Sequence, residues 1–264
     1  MRVLVCVKRV PAPGARINIT ADGQAVDTAF LGFTMSPHEE CAVEEAVQLI
    51  ERHGGESTVL TLGPAEADEQ LRYAASLGVS KAVLLPIPAD AVGGVDWDPQ
   101  RTAASIAAAI ADLEAAEGAF DIILFGNESA DSGGFQVAIR VARSLGRPVV
   151  NGIKGIEVTE LDGAPSVRAR READAGVEVY ALAMPVVLGV KEGINLPRYP
   201  TLKGRLASKK VDVAQVVPVG APGGQTMQTL LPSAEQVTAT TILGHGPDAA
   251  TAVVDLLEEL GVLK

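Results

Sequence analysis

Residues 121–146 read DIILFGNESADSGGFQVAIRVARSLG, and how this stretch divides decides the fold. The opening DIILFG is a short apolar run of the kind buried on both faces in a parallel sheet. The closing FQVAIRVARSLG reads as a helix, and RPVVNG (147–152) after it as a further strand ending at Gly152. Between the opening run and the helix, Gly126-Asn127-Glu128-Ser129-Ala130-Asp131-Ser132-Gly133-Gly134 forms a loop of small and polar residues. Strand, glycine-containing loop and helix in that order make one half-turn of a wound α/β unit.

Upstream, the same unit recurs. RVLVCV (2–7) is a β-branched run that predicts a central strand, and a loop with Pro11, Pro13 and Gly14 follows it. Ser36-Pro37-His38-Glu39 opens a helix, with Ser36 suited to the N-cap, Pro37 to the first helical position and Glu39 to the reciprocal capping-box position. Ala42, Val43, Ala46, Val47 and Ile50 share one face of that helix, and Gly54-Gly55 ends it. Strand 57–63, helix 65–78, strand 81–87, a loop carrying Trp97 and helix 102–116 lead to the fourth strand. This alternation predicts an α/β fold, a doubly wound parallel sheet with helices on both faces.

Downstream of residue 150 the pattern changes. Alternating segments at 153–160 and 165–170, joined by Leu161-Asp162-Gly163, predict a hairpin, followed by VEVYALA and the apolar PVVLGV. From Lys191 the periodicity fades among prolines 197, 200, 218, 222 and 232. The reading is an α/β domain over 1–190, then an extended C-terminal arm over 191–264 whose terminal helix, AATAVVDLLEELG, is capped near Asp248. Such an arm has little to pack on in its own domain, so its expected destination is another subunit.

Composition agrees with this class and narrows the chemistry. The chain has 264 residues, 47% hydrophobic but only 3% aromatic, so its core is expected to be Val, Ile, Leu and Ala under Ala-rich helices. A net charge of −11 argues against nucleic acid, whose binding depends on a basic surface. Two cysteines, Cys6 and Cys41, supply neither a disulfide framework nor zinc spacing, as expected of a cytoplasmic protein. The apolar run at the start stops at Lys8, too short for a signal sequence, and no stretch has the length of a membrane helix.

In an open parallel sheet ligands sit beyond the carboxyl ends of the strands at the topological switch point. Residues 6–14, the helix start at Ser36 and the loop Gly126–Val137 are expected to converge there. Small residues let backbone N–H groups approach a phosphate, although such a loop is equally well an ordinary tight turn. No GxGxxG follows the first strand, and Ser132-Gly133-Gly134 only partly resembles the SGGxDS loop of ATP pyrophosphatases. Catalytic residues are scarce. His38, His53 and His245 suit capping or surface positions, Cys6 an inert core site, and Glu128 and Asp131 the capping of the following helix. A basic island, Asn195 to Arg205 continuing to Lys209-Lys210, carries Tyr199 and Leu202 among prolines and reads as a docking element rather than a solvated loop.

Motifs along nearly the whole chain resemble the β subunit of electron transfer flavoproteins. They are VLVCVKRVP (3–11), SPHEECAVEEAVQL (36–49), TLGP (61–64), ARREADAGVEVYALAMPVVLGV (169–190) and NLPRYPTLKG (195–204), in the family's order. The resemblance implies an adenine nucleotide α-hydrolase-like fold and an electron-carrier subunit without bond-making chemistry of its own. It implies a structural AMP held by the backbone of Cys6, by Ser36, Pro37, His38 and Glu39, by Leu62, and by Gly126 to Val137, including Asp131, Ser132, Gly133 and Gln136. In the bifurcating branch a second FAD takes that place. It further implies a larger α-type partner subunit holding the redox FAD, whose ring Pro13 and His38 would approach. Glu172 matches a contact to the partner's mobile flavin domain, and Leu202 the anchor inserted into a client flavoprotein dehydrogenase. Electrons would pass onward to a quinone-linked oxidoreductase. The chain departs from the pattern at Ser132-Gly133, where further acidic residues are usual, and at Val137, where threonine is. It also has His38 in place of an aromatic residue and Ala175 in place of a glycine. Set against this stands a free-standing adenine-nucleotide-binding regulator of the stress-protein type, which would have no use for the arm.

Overall fold

A computed structural model describes residues 1–88, 97–232 and 240–263. The first apolar run is β1 (Arg2–Cys6), and its side chains alternate between two cores, Val3 and Val5 on one face, Leu4 and Cys6 on the other. Four two-residue strands follow, β2 (Val10–Pro11), β3 (Asn18–Ile19), β4 (Val26–Asp27) and β5 (Phe33–Thr34), paired as β2 with β5 and β3 with β4. The wound core then runs α1 (Pro37–His53), β6 (Glu56–Gly63), α2 (Asp68–Leu77), β7 (Lys81–Pro86), α3 (Pro99–Glu117), β8 (Ile122–Gly126) and α4 (Val137–Leu145). Next come β9 (Val149–Leu161), β10 (Ala164–Ala173), β11 (Gly176–Ala183), β12 (Val186–Val190), α5 (Leu202–Ser208) and β13 (Val213–Gln215).

The main sheet has the order β11-β10-β9-β12-β8-β1-β6-β7-β13. It is parallel from β9 through β13, while β9–β10 and β10–β11 pair antiparallel. The chain winds from β1 out through β6 and β7, then returns to β8 on the other side of β1. The switch point therefore lies between β1 and β8, as expected of a doubly wound sheet. α1 and α2 supply the core on one face and α3 and α4 that on the other.

Three sequence expectations are corrected. The strand at 147–152 and the first arm of the hairpin are one 13-residue strand, β9, because Gly152 does not turn the chain. With φ +75 it is the extra residue of a bulge against β12, and Lys154 is that of a second bulge against β10, which re-aims the strand as it leaves the helix-covered sheet. The stretch from Lys191 to Leu230 is packed rather than loose. Asn195 Nδ2 donates to the Cys41 carbonyl, Arg198 grips α1, Arg72 reaches the carbonyls of Ser208 and Val211, and β13 pairs with β7. These contacts are polar, so no apolar period announces them. Residues Met1–Leu230 form one compact unit and Leu231–Lys264 a second. In the second, α6 (Ala250–Glu259) is preceded by a 3-10 turn, Gly246–Ala249, which contains Asp248; Ala249 holds the cap position without a side-chain bond, so Asp248 does not cap the helix. Among the described residues no helix is long and apolar enough to cross a membrane.

Candidate functional site

A cleft of about 870 Å³ opens at the carboxyl rim of the sheet, above the switch point. Its floor is the end of β1 (Cys6, Val7, Lys8) with Leu62 of β6, and one wall is the loop from Gly126 to α4. Glu39 of α1 closes the inner side. The close approach of β8 to α1 requires a glycine: a Cβ on Gly126 would lie 2.6 Å from Glu39 Cγ and 3.3 Å from the Glu39 backbone nitrogen.

The loop itself is folded tightly. Gly133 N donates to the Ser129 carbonyl at 2.9 Å, the hydroxyls of Ser129 and Ser132 lie 2.6 Å apart, and Gly133 takes a φ of +54. No side chain caps α4, since Gln136, at its N-cap, instead receives Arg140 on its amide oxygen. The first-turn N–H groups of Val137 and Ala138 therefore have no side-chain cap, and both residues line the cleft. Uncapped N–H groups at the positive end of a helix dipole suit an anion such as a phosphate.

Charged groups hold this arrangement together. Lys8 Nζ contacts both carboxylate oxygens of Asp131 at 2.7 Å, tying the end of β1 to the loop. His38 Nδ1 accepts the Glu192 N–H at 2.8 Å, which leaves Nε2 to donate to Glu128 at 3.3 Å. Asp131 and Glu128 thus pair with Lys8 and His38, not with the start of the helix, correcting the capping expectation. The capping box of α1 forms as read: Ser36 Oγ accepts from Glu39 N at 3.2 Å, and the Glu39 carboxylate accepts from Ser36 N at 2.9 Å.

Burial pushes the Glu39 carboxyl up to about 7, against the pull of its Ser36 bonds and of Lys8. A raised acid keeps its proton in the fold over a range where the unfolded chain has lost it. Stability from this group is therefore greatest below the ordinary glutamate value and falls as pH rises through 7. Glu39→Gln should flatten the decline in urea midpoint between about pH 5 and pH 8; equal slopes in the two proteins would disprove the assignment. Burial, with the nearby charge of Glu39, also pushes the Cys6 thiol far up, so Cys6 is an inert part of the cleft lining.

The remaining expected residues are placed elsewhere. Pro13 is exposed in the loop between the two small ladders, and Pro37 lines a separate, shallower hollow with Cys41 and Lys191. Glu172 is exposed and pairs with Lys154 at 2.9 Å. Tyr199 is 90% exposed and Leu202, the first residue of α5, 76% exposed. Sequence reading missed two parts of the cleft. Trp97 and Asp98 line it at the start of α3, where Asp98 caps the helix through Arg101 N at 2.8 Å. Gly224 to Met227 line it from the C-terminal side, fixed by Gln225 N to Asp98 at 3.2 Å. The pair Asp98-Pro99 is a cap-and-first-turn signal that could have moved the helix start back from Thr102. Nothing local marks 224–227. Among the described residues no three His, Cys, Asp or Glu side chains are grouped to hold a metal.

A family model described as Electron transfer flavoprotein domain matches residues 26–219. The chain is 35% identical over 224 residues to electron transfer flavoprotein subunit beta of Syntrophomonas wolfei, covering 84% of this chain and 81% of that protein. It is 36% identical over 177 residues to the protein of the same name from Bacillus subtilis, a match spanning 67% of this chain and 64% of the relative. Protein FixA of Azorhizobium caulinodans is 29% identical over 213 residues, 81% of this chain and 74% of its own.

Proposed function

The chain belongs to the electron transfer flavoprotein family as a β-type subunit, and from that premise we propose that it binds AMP structurally in the cleft beside β1 and works in a heterodimer with a larger flavin-carrying subunit. As a β subunit of this family it is an electron carrier rather than an enzyme. The observation that carries the nucleotide reading is the uncapped start of α4 facing a glycine-lined cleft.

The residues present fit an adenylate. Val137 and Ala138 offer N–H groups to the phosphate, Gly126 and Gly133 keep the loop free of side chains, and Lys8 with Asp131 holds it in place. Glu39 and Leu62, with Cys6, form the remaining wall, and Ser36 fixes Glu39 there through the capping box. Val137 contributes no hydroxyl, so the phosphate rests on backbone donors. AMP supplies no redox chemistry; the electrons travel on the FAD of the partner. Pro13 and His38 face that partner's flavin, Glu172 its mobile flavin domain, and Tyr199 with Leu202 a client flavoprotein dehydrogenase. Electrons then pass to a quinone-linked oxidoreductase. The exposure of Tyr199 and Leu202 on a segment clamped to α1 supports the docking role.

FAD in place of AMP is the second reading, favoured by a cleft volume near the top of the roughly 300–1,000 Å³ common for small-molecule sites. Acid release from the purified heterodimer, followed by chromatography, separates the two. The expected result is about one AMP and one FAD per heterodimer; two FAD and no AMP would select the second reading. A chain that purifies alone as a stable monomer, with no affinity for a flavin-carrying partner, would overturn the assignment to a heterodimer.

A further inference from the structure

We propose that Trp97 and Phe135 form an aromatic clamp that takes the planar heteroaromatic ring of the bound nucleotide between them; the inference rests on the nucleotide reading of the cleft. Both residues line the cleft. Each stands immediately before the N-cap residue of its helix, Trp97 before Asp98 of α3 and Phe135 before Gln136 of α4. Because α3 and α4 pack side by side, their two starts lie on one rim.

In a chain with so few aromatic residues, neither ring is used for the core: neither belongs to the two buried clusters. Phe135 is 48% exposed and holds a φ of +53, in the left-handed region that a phenylalanine adopts only against its backbone preference. Glycine is the residue this conformation favours, as at Gly133 nearby with φ +54. Strain kept at a ligand cleft by a side chain with little to pack against indicates a function for that side chain. Trp97 is braced from one side, where the Arg101 guanidinium lies 4.1 Å from the ring centroid. Its other face is assigned to the ligand. Stacking tolerates any π-surface, so the ring is adenine if the ligand is AMP, and adenine or isoalloxazine if it is FAD.

The test uses the full chain, alone and assembled with a partner that retains its own flavin, after the cleft has been freed of nucleotide. AMP and FAD are titrated separately by calorimetry. Trp97 is the chain's one tryptophan, so its emission in the chain alone reports AMP directly. Saturating AMP is expected to quench it. Trp97→Ala and Phe135→Ala should each weaken the nucleotide that binds about 10- to 100-fold, whereas Trp97→Phe, which keeps a π-face, should retain most of the affinity. Phe135→Gly separates ring from fold: it should melt no lower than the unaltered protein, because glycine accepts the positive φ, yet bind as weakly as Phe135→Ala. Unchanged affinity for both nucleotides in Trp97→Ala and Phe135→Ala overturns the clamp while leaving the cleft reading intact. If the unaltered protein, alone and assembled, binds neither nucleotide, the cleft reading fails and the clamp with it.

Discussion

Arg198→Ala should lower the stability of the folded chain by about 2–3 kcal/mol, seen as a lower urea midpoint with an unchanged slope. Arg198 Nε lies 2.9 Å from Glu44 Oε2 and its Nη1 2.6 Å from Glu51 Oε1, while its backbone N–H donates to Glu44 at 3.1 Å. The Glu44 side chain is only 3% exposed, so removing the guanidinium leaves a buried carboxylate that loses its main counter-charge. The Arg198 side chain, at 35% exposed, is partly screened by water, which places the cost below that of a fully buried pair. Glu44→Gln added to Arg198→Ala should recover part of the loss, since the stranded charge disappears; no recovery would mean that packing, not charge, is what Arg198 supplies. Burial opposes ionisation of Glu44, but bonds from Arg198 and Gln48 outweigh it, and the Arg198 bond lowers Glu51 as well. For these depressed acids the stabilisation is present above the ordinary glutamate value and is lost as pH falls below it, the reverse of Glu39. Electron uptake from the client dehydrogenase should slow in Arg198→Ala, because the segment bearing Tyr199 and Leu202 loses its anchor.

Gly126→Ala should be nearly as costly, about 2 kcal/mol, and should strip nucleotide from the purified heterodimer. The added methyl would lie 2.6 Å from Glu39 Cγ and 3.3 Å from His38 Cβ, so relief must come from the start of α1 and its capping box. Gly134→Ala is the control. A Cβ there meets no protein atom within 4 Å, so thermal melting should stay close to the unaltered value. Equal behaviour of the two variants would show that the approach of β8 to α1 is not needed for the site.

Where burial is apolar and periodic, the chain could be read directly. β1, β6, β7 and β8 are continuous buried runs, and Ser36-Pro37-His38-Glu39 announced both a helix start and its reciprocal cap. Gly152 misled because a glycine that bulges and a glycine that turns look alike in sequence; only the pairing partners of β9 tell them apart. The stretch from Lys191 to Leu230 could not be read because long-range polar bonds hold it. Arg198 meets carboxylates more than 140 residues earlier, and Gln225 meets Asp98 across 127. The cleft divides the same way. Its glycine loop and α1 wall follow from local spacing, whereas its Gly224–Met227 wall exists only after the chain has returned to the rim.

The pairing of Val213, Ala214 and Gln215 with Ala82, Val83 and Leu84 has a colloidal consequence. Without those three residues the backbone donors and acceptors on the far side of β7 would stand bare, a template on which neighbouring molecules could polymerise edge to edge. A chain trimmed after Val190 would forfeit that shield together with the Gly224–Met227 wall of the cleft, so it should precipitate as well as lose ligand.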